Sequence, residues 1–161
     1  MRVEQLMTRN VKVCNSADTL NRATQLMWEY DIGCVPVLSA DGDGQIVGIV
    51  TDRDVAIAAY TQGAPLSAIP VTTAMAKQVI TCHAQDGISQ AEALMRDNRI
   101  RRLPVLDQNE RLAGVISLND IAREAQRERA GGHPEVNTED LTETLASVSA
   151  PRAGRDVTIA A

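Results

Sequence analysis

Gly48-Ile49-Val50-Thr51-Asp52-Arg53-Asp54 decides the reading of this chain, because it occurs twice; the second copy is Gly114-Val115-Ile116-Ser117-Leu118-Asn119-Asp120. Each copy is a short apolar run ending in a hydroxyl residue, with a carboxylate three positions on. The apolar run reads as a buried strand, and the hydroxyl residue as the start of a helix. Thr-x-x-Asp and Ser-x-x-Asp have the spacing of a capping box, in which the carboxylate closes onto the backbone N–H of the cap. The same arrangement also suits a ligand. A small residue at the strand lets a bound group approach the backbone. A hydroxyl beside the unpaired N–H groups and positive dipole end of a helix favours phosphate oxygens. The carboxylate can accept from ribose hydroxyls. The two roles are compatible, since a cap can be shared or displaced when a ligand enters.

The duplication extends well beyond this motif. Under a shift of 68, Val3, Met7, Val11, Cys14, Asp18, Ala23, Leu26, Met27, Ile32, Pro36, Val37 and Leu38 fall on identical residues, 12 identities in 36 positions. Past a turn that differs by two residues the shift becomes 66, and Gly48, Asp54, Ala56 and Ala59 fall on Gly114, Asp120, Ala122 and Ala125. Each copy reads as an extended piece (Val11–Val13, Val79–Thr81), then a helix with Asp18 or Asp86 as N-cap. A strand with an internal Pro follows (Cys34–Leu38, Leu103–Leu106), which proline places at a sheet edge or a strand start. A turn, a second strand (Ile46–Val50, Leu112–Ile116) and a helix opening at Thr51 or Ser117 complete it. The expected fold is α+β, two pseudo-symmetric β-α-β-β-α units over 3–60 and 71–128, joined by a linker over 61–70. Neither unit is large enough to bury a good core alone, so the two should pack into one body. In the tail, 129–161, Gly131-Gly132-His133-Pro134 should break the preceding helix. A short helix is expected over Thr138–Val148, capped by Asn137 or Thr138, with a loose end from Pro151 or one that docks on a partner.

Composition narrows the function classes. The net charge of −5 argues against a broad phosphate-backbone footprint and so against nucleic acid as partner. No apolar run approaches the ~20 residues needed to span a bilayer. The N-terminal residues lack the apolar stretch of a signal peptide, so a cytoplasmic location is expected. Aromatic residues make up 2% of the chain and Phe is absent, leaving Leu, Ile, Val, Met and Ala to fill the core. Cys14, Cys34 and Cys82 are an odd, widely spaced set that reads as buried thiols, not a disulfide framework. His83 and His133, the only histidines, lie in no recognisable nucleophile motif, so no catalysis is expected. A metal or redox site using Cys14, Cys82 and His83 is a minor alternative.

The copies also differ. Arg99-Ile100-Arg101-Arg102 leads into the second Pro-containing strand, where the first copy has Asp31, Gly33 and Cys34 in place of the three arginines. An arginine cluster at a strand entrance suits a phosphate clamp, or else a solvated loop of surface ion pairs. Trp28, the only tryptophan, falls on Arg96. It marks either a contact with another chain or burial under the tail.

The span from Val3 to about Ala125 resembles a tandem pair of CBS domains, a Bateman module. The resemblance rests on Met7-Thr8 and Met75-Ala76, on Val35-Pro36-Val37 and Leu103-Pro104-Val105, and on the two Gly-x-x-[Ser/Thr]-x-x-Asp stretches. Gly48–Asp54 is similar to the CBS insert of inosine monophosphate dehydrogenase, whose catalytic barrel this chain lacks. Arg101-Arg102-Leu103 and Ser117–Asp120 are similar to the regulatory gamma subunit of AMP-activated protein kinase. The resemblance implies a regulatory module that needs no cofactor and binds an adenosine ligand such as AMP, ADP or ATP in clefts between the units. Asp54 and Asp120 would bind ribose, and Thr51 and Ser117 phosphate. Arg101 and Arg102 would neutralise phosphate. Adenine would lie near Ile32, Val35, Pro36, Ile100, Leu103 and Pro104. It further implies a homodimer and an unidentified protein target. The first copy departs from the pattern at Gly33 and Cys34, so unequal clefts are expected. A ligand-free interaction module is the other alternative.

Overall fold

The structure, a computed structural model, describes residues 1–131 and 135–151. The first half contains α1 (Val3–Leu6), β1 (Cys14–Asn15), α2 (Leu20–Tyr30), β2 (Cys34–Leu38), β3 (Ile46–Thr51) and α3 (Asp52–Gln62). Two single 3-10 turns, Leu66–Ala68 and Val71–Thr73, lead into the second half. There follow β4 (Cys82–His83), α4 (Ile88–Asn98), β5 (Arg102–Leu106), β6 (Leu112–Ser117), α5 (Leu118–Gly131) and α6 (Thr138–Ser149). Each half carries a three-stranded sheet in the order β1-β2-β3 or β4-β5-β6, its first pair parallel and its second an antiparallel hairpin. The fold is the expected α+β duplication.

Three local expectations change. The extended pieces at Val11–Val13 and Val79–Thr81 make no ladder; the short strands begin just after them, at Cys14 and Cys82. Asp18 and Asp86 do not cap α2 and α4, whose N-caps are Thr19 and Gly87. Their carboxylates turn back instead, accepting from the N–H of Asn15 at 2.7 Å and of His83 at 2.7 Å, and so close the turn before each helix. Pro36 and Pro104 stand in the central strands rather than at an edge. Ile49, opposite Pro36, exchanges both backbone bonds with Ala76, at 3.1 and 2.9 Å, and makes none to Pro36. On the other side β1 pairs only with Val37 and Leu38. The missing proline N–H therefore faces a stretch with no strand to receive it.

The leading segments cross over. Val3 N–H donates to Asp86 O at 2.9 Å, Glu4 N–H to Ala84 O at 2.9 Å, and Thr8 pairs with Val115 along the free edge of β6. In the reciprocal arrangement Val71 N–H donates to Asp18 O at 2.9 Å, Leu20 N–H to Ile69 O at 2.9 Å, and Ala76 pairs with Ile49 along β3. Val3 and Met7 belong to the second core with Met95, Leu103, Ile116 and Ile121. Ile69 and Val71 belong to the first, with Leu20, Val35 and Val50. Each unit is thus built from two pieces of chain, and the crossing segment also covers a sheet edge.

The tail helix forms where expected, one residue longer, with Asn137 Oδ1 accepting from Glu139 N–H at 2.9 Å. Helix α5 is described as far as Gly131; Gly132, His133 and Pro134, where a helix break is expected, lie outside the described residues, as do 152–161. Helix α6 packs on α4 and α5, with Val136, Leu141 and Val148 against the second core. On the first unit's helices, Trp28 is 88% and Tyr60 89% exposed. Burial of Trp28 under the described tail is therefore ruled out. No helix of the described residues is long and apolar enough to cross a membrane.

Candidate ligand site at the strand entrances

Both hydroxyl–carboxylate motifs sit where a strand hands over to a helix. Thr51 ends β3 in extended conformation and caps α3. Its hydroxyl lies 2.7 Å from Asp54 Oδ2, which also accepts from Thr51 N–H at 2.9 Å, while Asp54 N–H donates to Thr51 Oγ1 at 3.3 Å. Ser117 and Asp120 repeat this at 2.5, 2.8 and 3.3 Å. Asp120 Oδ1 additionally meets Arg123. Both capping boxes are closed. One carboxylate oxygen in each is fully occupied by its own helix start, so ribose hydroxyls would have to take the remaining oxygen or displace the cap.

The glycines at the motif heads have a different purpose from the one expected. A Cβ on Gly48 would collide with the Met75 side chain and lie 3.1 Å from Ala76 O; a Cβ on Gly114 would lie 2.9 Å from Thr8 O and 3.1 Å from Met7 Cγ. The space above each glycine is filled by the other repeat's leading segment, not left for a ligand.

The arginine cluster divides. Arg101 is exposed, and its carbonyl accepts from Leu118 N–H at 2.9 Å, as Gly33 O accepts from Asp52 N–H at 3.3 Å at the equivalent place. Arg102 reaches across to the first unit. The point where a Gly33 Cβ would stand is 3.2 Å from Arg102 Nη2 and 3.2 Å from Asp52 Oδ2. The guanidinium also lies close enough to Cys34 to oppose the upward push of burial on that thiol. A side chain at position 33 would require Arg102 and Asp52 to shift by a few tenths of an ångström. Asp52 was not singled out by sequence, although a signal existed: its repeat mate, Leu118, is 5% exposed in the second core. A carboxylate at one copy and a core leucine at the other mark a place where the two units differ by environment.

The apolar candidates are unevenly accessible. Val35 and Leu103 are 0% exposed, inside their own cores, and could offer a ligand only backbone. Pro36 and Pro104 are buried, while Ile32 and Ile100 are half-buried at the helix exits after the left-handed residues Asp31 and Arg99. Asp54 lines a small cleft of about 160 Å³ with Ile57, Ala58, Thr61, Gln62, Thr73 and Ala74. A larger cleft of about 570 Å³ lies at the hairpin tips, between Asp43, Gln45, Lys77 and Asn109–Arg111, and includes none of the predicted site residues. Neither of these two clefts includes Thr51, Ser117, Asp120, Arg101 or Arg102, which stand at the strand entrances.

Cys14, Cys82 and His83 are not brought together. Cys14 lies in the first core and Cys82 in the second, and His83 Nε2 pairs with Glu110 at 3.0 Å. Among the described residues no three of His, Cys, Asp and Glu gather as a metal site. Burial pushes the Cys14 thiol up to about 11 and the Cys82 thiol up to about 12. Both are protonated at neutral pH in the metal-free protein, which slows thiol exchange. A disulfide reagent at pH 7.5 should leave Cys14 and Cys82 unreacted in the native protein and modify them on unfolding; stoichiometric reaction within minutes without denaturant would contradict their burial.

A model of the CBS domain matches this chain twice, over residues 3–60 and 67–127. This chain belongs to the CBS domain family. A CBS domain-containing protein of Bacillus subtilis, YhcV, is 32% identical over 130 residues, 80% of this chain and 89% of that one. Inosine-5'-monophosphate dehydrogenase of Methanocaldococcus jannaschii is 33% identical over 138 residues, but these are 81% of this chain and only 26% of the enzyme. Among solved structures, the CBS domain pair of protein MJ0100, in complex with 5'-methylthioadenosine and S-adenosyl-L-methionine, superposes with a TM-score of 0.71, covering 80% of this chain and 98% of that one at 23% identity. At that identity the likeness establishes the fold. The CBS pair here thus has its architecture fixed, with Arg102 of the second unit beside Gly33 of the first.

Proposed function

We propose that this CBS pair, with units over 3–60 and 71–128, is a non-catalytic regulatory module that binds an adenosine-containing, phosphate-bearing ligand at the strand entrances. The observation that carries this reading is the placement of Arg102 beside Gly33 and Asp52, next to a helix start that presents Thr51 and Asp54. A guanidinium beside helix N–H groups is an anion site in which two favourable terms coincide. The adenosine ligands in the MJ0100 complex support the same ligand class. Asp54 and Asp120 would take ribose hydroxyls, and Thr51, Ser117, Arg101 and Arg102 phosphate. The base would rest on Ile32, Pro36, Ile100 and Pro104 and on the backbone of Val35 and Leu103. Because Arg102 lies on the first unit's side, the cleft of Thr51 and Asp54 is the stronger one. Ligand that bridges the units biases their relative angle, and a protein partner reads the shift. Calorimetric titration with AMP, ADP, ATP and S-adenosylmethionine tests the reading. Saturable heat with one site dominant is expected, and no heat and no thermal shift at millimolar ligand overturns it.

The exposed face of α2 and α3, with Trp28, Tyr60 and Ile57, is the surface through which the module would form a homodimer. Light scattering of the protein at micromolar concentration should show a dimer, weakened about 30-fold by Trp28→Glu if Trp28 is worth about 2 kcal/mol as a buried aromatic anchor. A wild-type monomer under those conditions removes this interface from the proposal.

A further inference from the structure

Glu92 is a buried carboxyl group without a matching partner. It stands on α4, 2% exposed, and its Oε1 makes no hydrogen bond. Thr144, the residue of α6 that is fully buried, has an unpartnered hydroxyl as well. Around these two groups α6 is held to α4 by apolar contact, by Ser147 Oγ donating to Arg96 O at 3.1 Å, and by a rim pair of Arg96 with Glu143 at 3.5 Å. The repeat mate of Glu92 is Thr24, which lies on the uncovered first unit and donates to Leu20 O at 2.8 Å. The buried acid thus occurs only in the copy that carries the extra helix.

An ionised carboxylate is costly at such a place. Burial pushes the Glu92 carboxyl up to about 7, Asp140 on α6 adds to the rise, and Arg96 opposes it. The charged groups of α5 at this joint are engaged elsewhere: Glu124 pairs with Arg127 at 2.6 Å, and Glu128 accepts from the N–H groups of Glu135 and Val136 at 2.8 and 2.9 Å.

We propose that α6 is a proton-gated strap, docked on α4 and α5 while Glu92 is protonated and lifting as Glu92 ionises, so that the second unit uncovers the helix face that the first unit leaves open. The sign follows from linkage. The docked carboxyl keeps its proton to higher pH than a solvated one, so docking takes up a proton. Docking is strongest below the ordinary glutamate range. It weakens about tenfold per pH unit from there to about pH 7, and is level above. The unmet Thr144 hydroxyl keeps the docked state from being overwhelmingly favoured, which is what lets one proton tip it.

Hydrogen exchange of the full chain, read by mass spectrometry and corrected for intrinsic rates, tests this. Protection of the peptide over 136–149 should fall about tenfold per unit between pH 5 and 7, while peptides over β2 and β3 hold theirs. Glu92→Gln should keep α6 protected and remove the slope. Asp140→Asn should move the midpoint to lower pH. A flat wild-type profile, or a slope that survives Glu92→Gln, overturns the proposal. Should Glu92→Gln not fold, an unmoved midpoint in Asp140→Asn overturns it equally.

Discussion

Gly114→Val should lower the free energy of unfolding by about 3 kcal/mol, the upper end of what overpacking a filled core costs. The added carbons enter the space held by Met7 and by the backbone at Thr8, whose carbonyl oxygen is already 2.9 Å from where a Cβ would stand. Side-chain rearrangement relieves only part of this, because the Thr8 segment is hydrogen bonded to Val115 at 2.9 and 3.0 Å and cannot retreat without losing both bonds. Urea denaturation of Gly114→Val, Met7→Ala and the double variant measures the coupling. The double variant should be more stable than the sum of the single losses predicts, since Met7→Ala empties the space that the valine needs. Strict additivity would mean that the crossing segment does not lie against Gly114.

The second large effect separates ligand binding from capping. Asp54→Ala and Asp120→Ala each remove the acceptor that closes a capping box, and each should cost about 1 kcal/mol of stability. On the ligand reading, Asp54→Ala also loses hydrogen bonds to a charged acceptor, about 1.5–3 kcal/mol, so affinity should fall roughly 10- to 100-fold. Arg102→Ala should fall comparably, and Asp120→Ala less, because the arginine lies on the first unit's side. Thermal melts with and without nucleotide distinguish the outcomes. Equal losses of stability with no change in the ligand-induced shift would leave both motifs as caps alone, and an Arg102→Ala variant that binds like wild type would remove the inter-unit arginine from the site.

Much of this was legible in the sequence because it depends on local periodicity and on comparing two copies. The apolar runs, the helix starts at Thr51 and Ser117 and the tail helix after Asn137 follow from spacing and cap chemistry, which act over a few residues. The capping boxes themselves were readable from Thr-x-x-Asp. Other details were misread for reasons just as local. Asp18 and Asp86 have two backbone donors within reach, and the turn behind them competes successfully with the helix ahead. Proline chemistry points Pro36 to a sheet edge or a strand start, because sequence does not reveal which side of a strand lacks a neighbour.

What sequence by itself determined is the unit and its duplication, since every element of one copy predicts its mate in the other. Only the tertiary structure decided which copy each leading segment serves. Val3 and Val71, or Met7 and Met75, are identical under the repeat, so staying at home and crossing over satisfy the same apolar pattern and differ only in chain connectivity. The crossing assigned Gly48 and Gly114 to close packing instead of ligand access. It was likewise the packing of the two units that carried Arg102 to Gly33, residues 69 apart in the chain. It was the packing of α6 on one copy alone that buried Glu92 and left Trp28 in water. Local physics repeats wherever the sequence repeats, whereas burial and charge at the joints depend on what lies across the interface, and there the two copies part.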